Sequence, residues 1–229
     1  MSDLLCYSEK YNVLLINIPK SASKSMNHAL EIKSKDHIPF CILEHMLPKD
    51  IIENAIRLVS FRNPWERMVS MYLYKKRKGY FGPDTKLLTF MDYVKSGEYR
   101  WNDGVFDKYS NLSWIKTLKI GDMNRRIEQT GTYWDYIINY DNIKDNWDDF
   151  RNKFNIDCPD LPHEHKAKEY QYINFYQRME YCLDMNLVES VQNLFIEDIY
   201  SQKWEFGQKN NSYFGSWGEK KVFEPKHNK

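Results

Sequence analysis

The chain has 229 residues, 42% of them hydrophobic and 16% aromatic, enough to bury a sizeable core and to exclude global disorder. Its 33 basic and 32 acidic residues leave a formal net charge of +1, so neither a nucleic-acid coat nor an acidic partner is expected and any anion site must be local. The opening MSDLLCYSEKYN has no apolar signal core, and no apolar run approaches the roughly 20 residues that span a bilayer.

Cys6, Cys41, Cys158 and Cys182 form no CxxC pair and no zinc spacing, which reads as reduced thiols in a cytoplasmic protein. Tyr11 to Ile18, YNVLLINI, reads as a buried parallel strand. A helix is predicted over Ser23 to Lys33, with Met26, Ala29, Leu30 and Lys33 at helical spacing. IPFCIL, Ile38 to Leu43, reads as a second short strand, followed by a helix from about Pro48. Ile56 to Phe61, IRLVSF, is a third strand. It runs into Asn63-Pro64, a cap followed by a first-turn proline. That helix continues through WERMVSMYLYKKRK to Gly79, with Lys75 to Lys78 at its solvated end. Short helices at Leu87 to Ser96 and Leu112 to Lys119, a strand at Trp134 to Tyr140 and a helix over Asp145 to Phe154 follow. Pro159 and Pro162 bracket a loop, and the chain then reads as mostly helical to Trp204. Alternating strands and helices imply an α/β fold with a central parallel sheet flanked by helices. One domain over residues 1–206 and a polar extension over 207–229 are expected.

Chemistry concentrates in two stretches. Asn17 to Met26, NIPKSASKSM, carries a strand into a helix start, where backbone N–H groups and the helix dipole favour an anion. Lys20 adds a point charge, and Ser21, Ser23 and Ser25 add hydroxyl donors; an ordinary serine-rich helix start is the plainer alternative. As a Walker A loop the stretch fails, because Ile18 and Ser23 stand where its two glycines belong, although Lys24-Ser25 fit its end. The second stretch, Leu58 to Tyr72, reads LVSFRNPWERMVSMY. It places Arg62 at the C-terminal end of a strand, where ligand crevices of open α/β sheets lie. Arg62 with the hydroxyl of Ser70 can grip a phosphate, whereas Arg67 reads as a structural ion-pair partner.

PKSASKS followed about forty residues later by FRNPWERMVSMY resembles the PAPS-dependent sulfotransferases, within them the carbohydrate-type and bacterial branch. YDNIKDNWDDFRNKFNI (Tyr140 to Ile156) and LPHEHKAKEYQYINFY (Leu161 to Tyr176) resemble two later segments of that family. The resemblance implies a P-loop NTPase-like sulfotransferase fold and transfer of a sulfonate from PAPS to a hydroxyl of a glycan or small metabolite. It implies no metal. By position, it assigns Lys20, Ser21, Ala22, Ser23, Lys24, Ser25 and Met26 to the phosphosulfate loop. Arg62 and Ser70 fall to the 3′-phosphate, and Lys166 to the nucleotide. The sequence departs from the family at Ala22, where glycine is usual, at Lys24 in place of Ser/Thr, and at His165 and Ala167. A negative φ suits Ala22; a positive one would strain it.

Sulfuryl transfer requires positioning, stabilisation of the leaving phosphate and a base for the acceptor hydroxyl. Lys20 is the candidate for the leaving oxygen. His45, in LEHMLPKDII, is the candidate base, with Glu44 as its rival. His28 and His163 read as structural, and Trp101 and Trp114 as core aromatics that could instead stack on a sugar. Two other functions remain open from sequence: a degenerate P-loop kinase using ATP and magnesium, and a catalytically idle PAP-binding protein on the same fold.

Overall fold

The computed structural model describes residues 5–33, 36–80, 92, 134–162 and 185–202. Four fully buried residues make the first long strand, β2 (Val13–Ile16). β1 (Tyr7–Ser8) precedes it and pairs antiparallel, a two-residue strand too short to leave a sequence signal. β3 (Ile56–Phe61) pairs parallel with β2, Val13 opposite Ile56 and Ile16 opposite Val59. β4 (Tyr136–Asn139) pairs parallel with β3 on its other side, Leu58 opposite Tyr136 and Phe61 opposite Asn139. The sheet order is β1-β2-β3-β4, so the expected α/β class holds, with an antiparallel strand at one edge of an otherwise parallel sheet.

The run expected as a strand at Ile38 to Leu43 is instead helix α2 (Phe40–Met46), entered from Pro39. Its apolar residues recur at helical spacing: Phe40, Leu43 and Leu47 enter the core together, and β2 pairs directly with β3, leaving that ladder no place between them. α1 (Ser23–Ala29) stops before the expected Lys33. The chain turns through Glu31 at φ 55, and the Glu31 and Ile32 N–H groups donate to the carbonyls of His28 and Asn27, a left-handed helix stop made without glycine. α3 (Lys49–Asn54) begins after Pro48 as expected.

α4 (Pro64–Arg77) starts as the sequence dictates, with Asn63 Oδ1 accepting from the N–H groups of Trp65 and Glu66. It ends at Gly79, whose φ of 71 suits the left-handed residue of the stop. A 3-10 turn (Tyr140–Asn142) leads from β4 into α5 (Ile143–Phe154); α6 (Met185–Leu194) and α7 (Ile196–Gln202) follow.

Alternation along the strands fills both sheet faces. Leu14, Ile16, Val59 and Phe61 join Phe40, Leu43, Trp65, Met68, Val188 and Phe195 on one side. Val13, Leu15 and Leu58 join Met26, Ala29, Ile138, Trp147 and Phe150 on the other. Each such buried side chain contributes roughly 1.5–3 kcal/mol. Among the described residues no helix is long and apolar enough to cross a membrane, and Cys6, Cys41 and Cys158 are free thiols. The expected helices between Leu87 and Lys119, the segment 163–184 and the tail 207–229 lie outside the described residues, except that Asp92 is helical.

Candidate anion site at the C-terminal edge of the sheet

Because β2, β3 and β4 run parallel and adjacent, their C-terminal ends deliver three segments side by side: the loop after Ile16, Arg62, and Tyr140. The loop is pinned from below. Asn17, fully buried, donates from Nδ2 to the Asp36 carbonyl at 3.1 Å, and its own carbonyl lies 2.6 Å from His37 Nδ1. Ser21, also fully buried, donates from Oγ to the Ile18 carbonyl at 2.7 Å. That proton tightens the loop and is directed away from any ligand.

Lys20 and Ala22 both adopt left-handed backbone, φ 67 and 66, with Ser21 between them outside that region. Neither is glycine, so each conformation costs about 1–2 kcal/mol. Left-handed residues within a loop are the kind from which backbone anion nests are built. Ala22 is also the residue preceding α1, and no side chain caps that helix. Of the two alternatives left open for Ala22, the strained positive φ is the one present.

Arg62 is the hub. Its Nη1 donates to the Lys20 carbonyl at 2.8 Å, which ties the end of β3 to the loop. Its Nε and Nη2 form a two-pronged pair with Glu66 at 3.2 and 3.0 Å, and its guanidinium lies 4.1 Å from the centre of the Tyr140 ring. Both partners of the ion pair are buried. The motif that marked Arg62 as a phosphate ligand thus places it at the C-terminal edge of the sheet, with its charge met by the Glu66 carboxylate.

Lys20 Nζ rests 4.4 Å above the Tyr74 ring, and Arg77 approaches the same ring at 5.8 Å. Loss of hydration pushes the Lys20 amine down to about 7, helped by the charges of Arg62, Arg77 and Lys24. Glu66, Ser70, Tyr74 and Arg77 recur at i, i+4, i+8 and i+11, so they share one face of α4. Two of these touch the cluster directly, which places buried Ser70 on the same face. Among the described residues, Lys24, Arg62 and Arg77 lie near enough to act on the Lys20 amine, and Arg62 is paired with Glu66, an arrangement that suits an anion.

The other residues singled out in the sequence divide. Ser23 is buried, Ser25 half-buried and Lys24 exposed at the start of α1. Met26 is a core residue: its side chain sits among Val13, Leu15 and Ala29, and its N–H donates to the Ala22 carbonyl. It presents nothing to a ligand. Arg67 packs over Phe195, 4.9 Å from the ring, on another face of α4. Lys75, expected in solvent, is buried, whereas Arg77 and Lys78 are exposed. On α2, Glu44 is buried and His45 exposed. Among the described residues no hydrogen bond, ion pair or ring contact joins His45 to Lys20 or Arg62. Lys166, with His163, His165, Ala167 and Lys168, lies outside the described residues, as do Trp101 and Trp114.

Sequence reasoning missed Glu66, Tyr74, Arg77 and Tyr140. The four-residue period running through Ser70 was the available signal for the first three. No family model matches the chain, and no curated protein and no solved structure shows significant similarity to it.

Proposed function

We propose that the chain is a PAPS-dependent sulfotransferase of P-loop NTPase-like fold, transferring a sulfonate to a hydroxyl of a glycan or small metabolite. The observation that carries this reading is the meeting of the two motifs. Lys20 from the first and Arg62 from the second, 42 residues apart, are joined by a hydrogen bond at the C-terminal edge of a parallel sheet. A strained loop at a helix start and three basic side chains beyond Arg62 fit the polyanionic donor.

In this reading the Lys20–Ala22 backbone, Ser23 and Ser25 hold the 5′-phosphosulfate. Lys20 meets the charge that develops on the bridging oxygen as the S–O bond breaks. Arg62, oriented by Glu66 and Tyr140, and Ser70 hold the 3′-phosphate. The acceptor hydroxyl attacks sulfur and passes its proton to His45, which α2 presents to solvent; Glu44, turned inward, is the less accessible base. A catalytically idle PAP-binding protein is the second reading, favoured by the Glu66 pair that already answers Arg62.

The test is thermal stabilisation by PAP against ATP with magnesium. A ligand at 100 times its Kd stabilises by about 2.7 kcal/mol, and PAP is expected to do so without magnesium. Stabilisation by ATP–magnesium and not by PAP refutes the proposal in favour of a kinase. Binding of PAP without sulfonate transfer to a broad panel of hydroxyl acceptors selects the idle reading. In the same assay Arg62→Ala is expected to weaken PAP more than a nucleotide lacking the 3′-phosphate, and equal losses refute that assignment.

A further inference from the structure

The amine of Lys20 sits in an unusual electrostatic setting. From α1 it faces Lys24, from the end of β3 Arg62, and from α4 Arg77 and the ring of Tyr74. Glu66, the carboxylate found at the cluster among the described residues, is engaged two-pronged by Arg62. Tyr140, after β4, faces Arg62 with its ring. Among the described residues no carboxylate pairs with Lys20. The Tyr74 π face favours an ammonium, but lost hydration and three neighbouring cations oppose it.

An entering anion reverses that balance. We propose that capture of a phosphate or sulfate group in this cradle is coupled to capture of one proton by the Lys20 amine. In the empty site Lys20 then lies on Tyr74 as a largely neutral amine; in the filled site it is an ammonium facing the anion. The inference deepens the sulfotransferase reading and rests on its cradle: the group that stabilises the leaving oxygen becomes charged as the ligand arrives.

Burial and the surrounding cations bring the free amine down to about 7 from an ordinary 10.5. At pH 8 it is then about nine-tenths neutral, and at pH 6 about one-tenth. Binding that restores the ordinary value takes up about 0.9 proton per site at pH 8 and about 0.1 at pH 6, and above pH 7 the apparent Kd rises about tenfold per pH unit. PAP's monophosphates have lost their second proton by pH 8, since it leaves near pH 6 (about 6), so the count at pH 8 belongs to the protein. Arg77 is the adjustable neighbour, exposed at the end of α4. Arg77→Gln is expected to lower the uptake at pH 8, and Arg77→Lys to restore it.

The experiment is calorimetric titration of the full chain with PAP at pH 6 and pH 8, in Tris and in HEPES, whose different ionisation heats yield the proton count. In parallel, thermal stabilisation by inorganic sulfate, an anion with no proton of its own to trade in this range, is compared at the two pH values. Uptake near 0.9 at pH 8 that falls at pH 6 and vanishes in Lys20→Arg, a permanent cation, supports the coupling. PAP binding with a count indifferent to pH, or unchanged in Lys20→Arg, overturns the coupling and leaves the sulfotransferase reading standing. Sulfate stabilisation that weakens from pH 6 to pH 8 only when Lys20 is present, together with no response to PAP, keeps the coupling and refutes the sulfotransferase reading. Silence to both anions overturns both.

Discussion

Replacing Glu66 with glutamine removes the one carboxylate that answers the cationic cluster and leaves side-chain volume unchanged. In the native protein Arg62 and Glu66 are joined by two contacts of 3.0 and 3.2 Å, with side-chain exposures of 5% and 3%. Breaking a buried pair by removing one partner typically costs 3–5 kcal/mol, because the remaining charge stays desolvated. Glutamine keeps one acceptor oxygen for the guanidinium, so a loss of about 2–4 kcal/mol is expected. For a chain of this size that corresponds to about 5–15 °C in Tm. Chemical denaturation of the free protein reads the first quantity and a thermal scan the second. A ligand anion should partly replace the missing carboxylate, so stabilisation by PAP is expected to be larger in Glu66→Gln than in the parent. A double-mutant cycle with Arg62→Met should return a coupling of about 2 kcal/mol or more. A cost below about 1 kcal/mol with additive single effects would refute the claim that Glu66 holds Arg62 in place.

Two further outcomes follow from the same loop. Ala22→Gly relieves a left-handed alanine but adds freedom to the unfolded chain, so a gain of about 0.5–1 kcal/mol in denaturant stability is expected; a loss of stability shows that the alanine methyl makes a contact worth more than the strain. Lys20→Met is expected to raise the stability of the ligand-free protein most below pH 7. Folding depresses this amine from 10.5 to about 7, so between those values the unfolded chain binds the extra proton and wild-type stability climbs with pH. The penalty is complete below pH 7 and gone above pH 10.5; a Lys20→Met advantage that stays constant from pH 6 to pH 10 would contradict the shift.

Local rules made much of the framework legible. The strand at Ile56 to Phe61 and the Asn63-Pro64 start of α4 were readable because each is decided within a few residues, by a β-branched apolar run and by cap chemistry. Ile38 to Leu43 was misread because a six-residue apolar run carries too little length to separate periods of 2 and 3.6. Arg62 and Lys20 were visible as motif residues, but their meeting needs the parallel register of β2 and β3. Glu66 lies inside the second motif yet was not seen as the partner of Arg62; Tyr74 and Arg77 were passed over for a simpler reason. The second motif ends at Tyr72, and Lys75 to Lys78 were counted as one solvated run, although Arg77 lies on the Ser70 face and Lys75 is buried.

Several unfavourable features of the described structure meet at one edge of the sheet. β2, β3 and the start of α4 obey their local preferences, and both sheet faces are apolar. At the C-terminal edge of the same strands stand two left-handed non-glycine residues, a buried arginine paired with a carboxylate, and a lysine whose amine is pushed down by burial and then by three cations. A structural role alone would be served as well by a glycine at position 22 and an uncharged side chain at position 20, each of which lowers the cost of the empty loop. What links these costs is their sign. Clustered cations and a desolvated amine are each unfavourable without an anion and each improved by one. Locally conflicting choices that share a single remedy are what a ligand site produces, and here they accord with the proposal that a multiply charged anion binds.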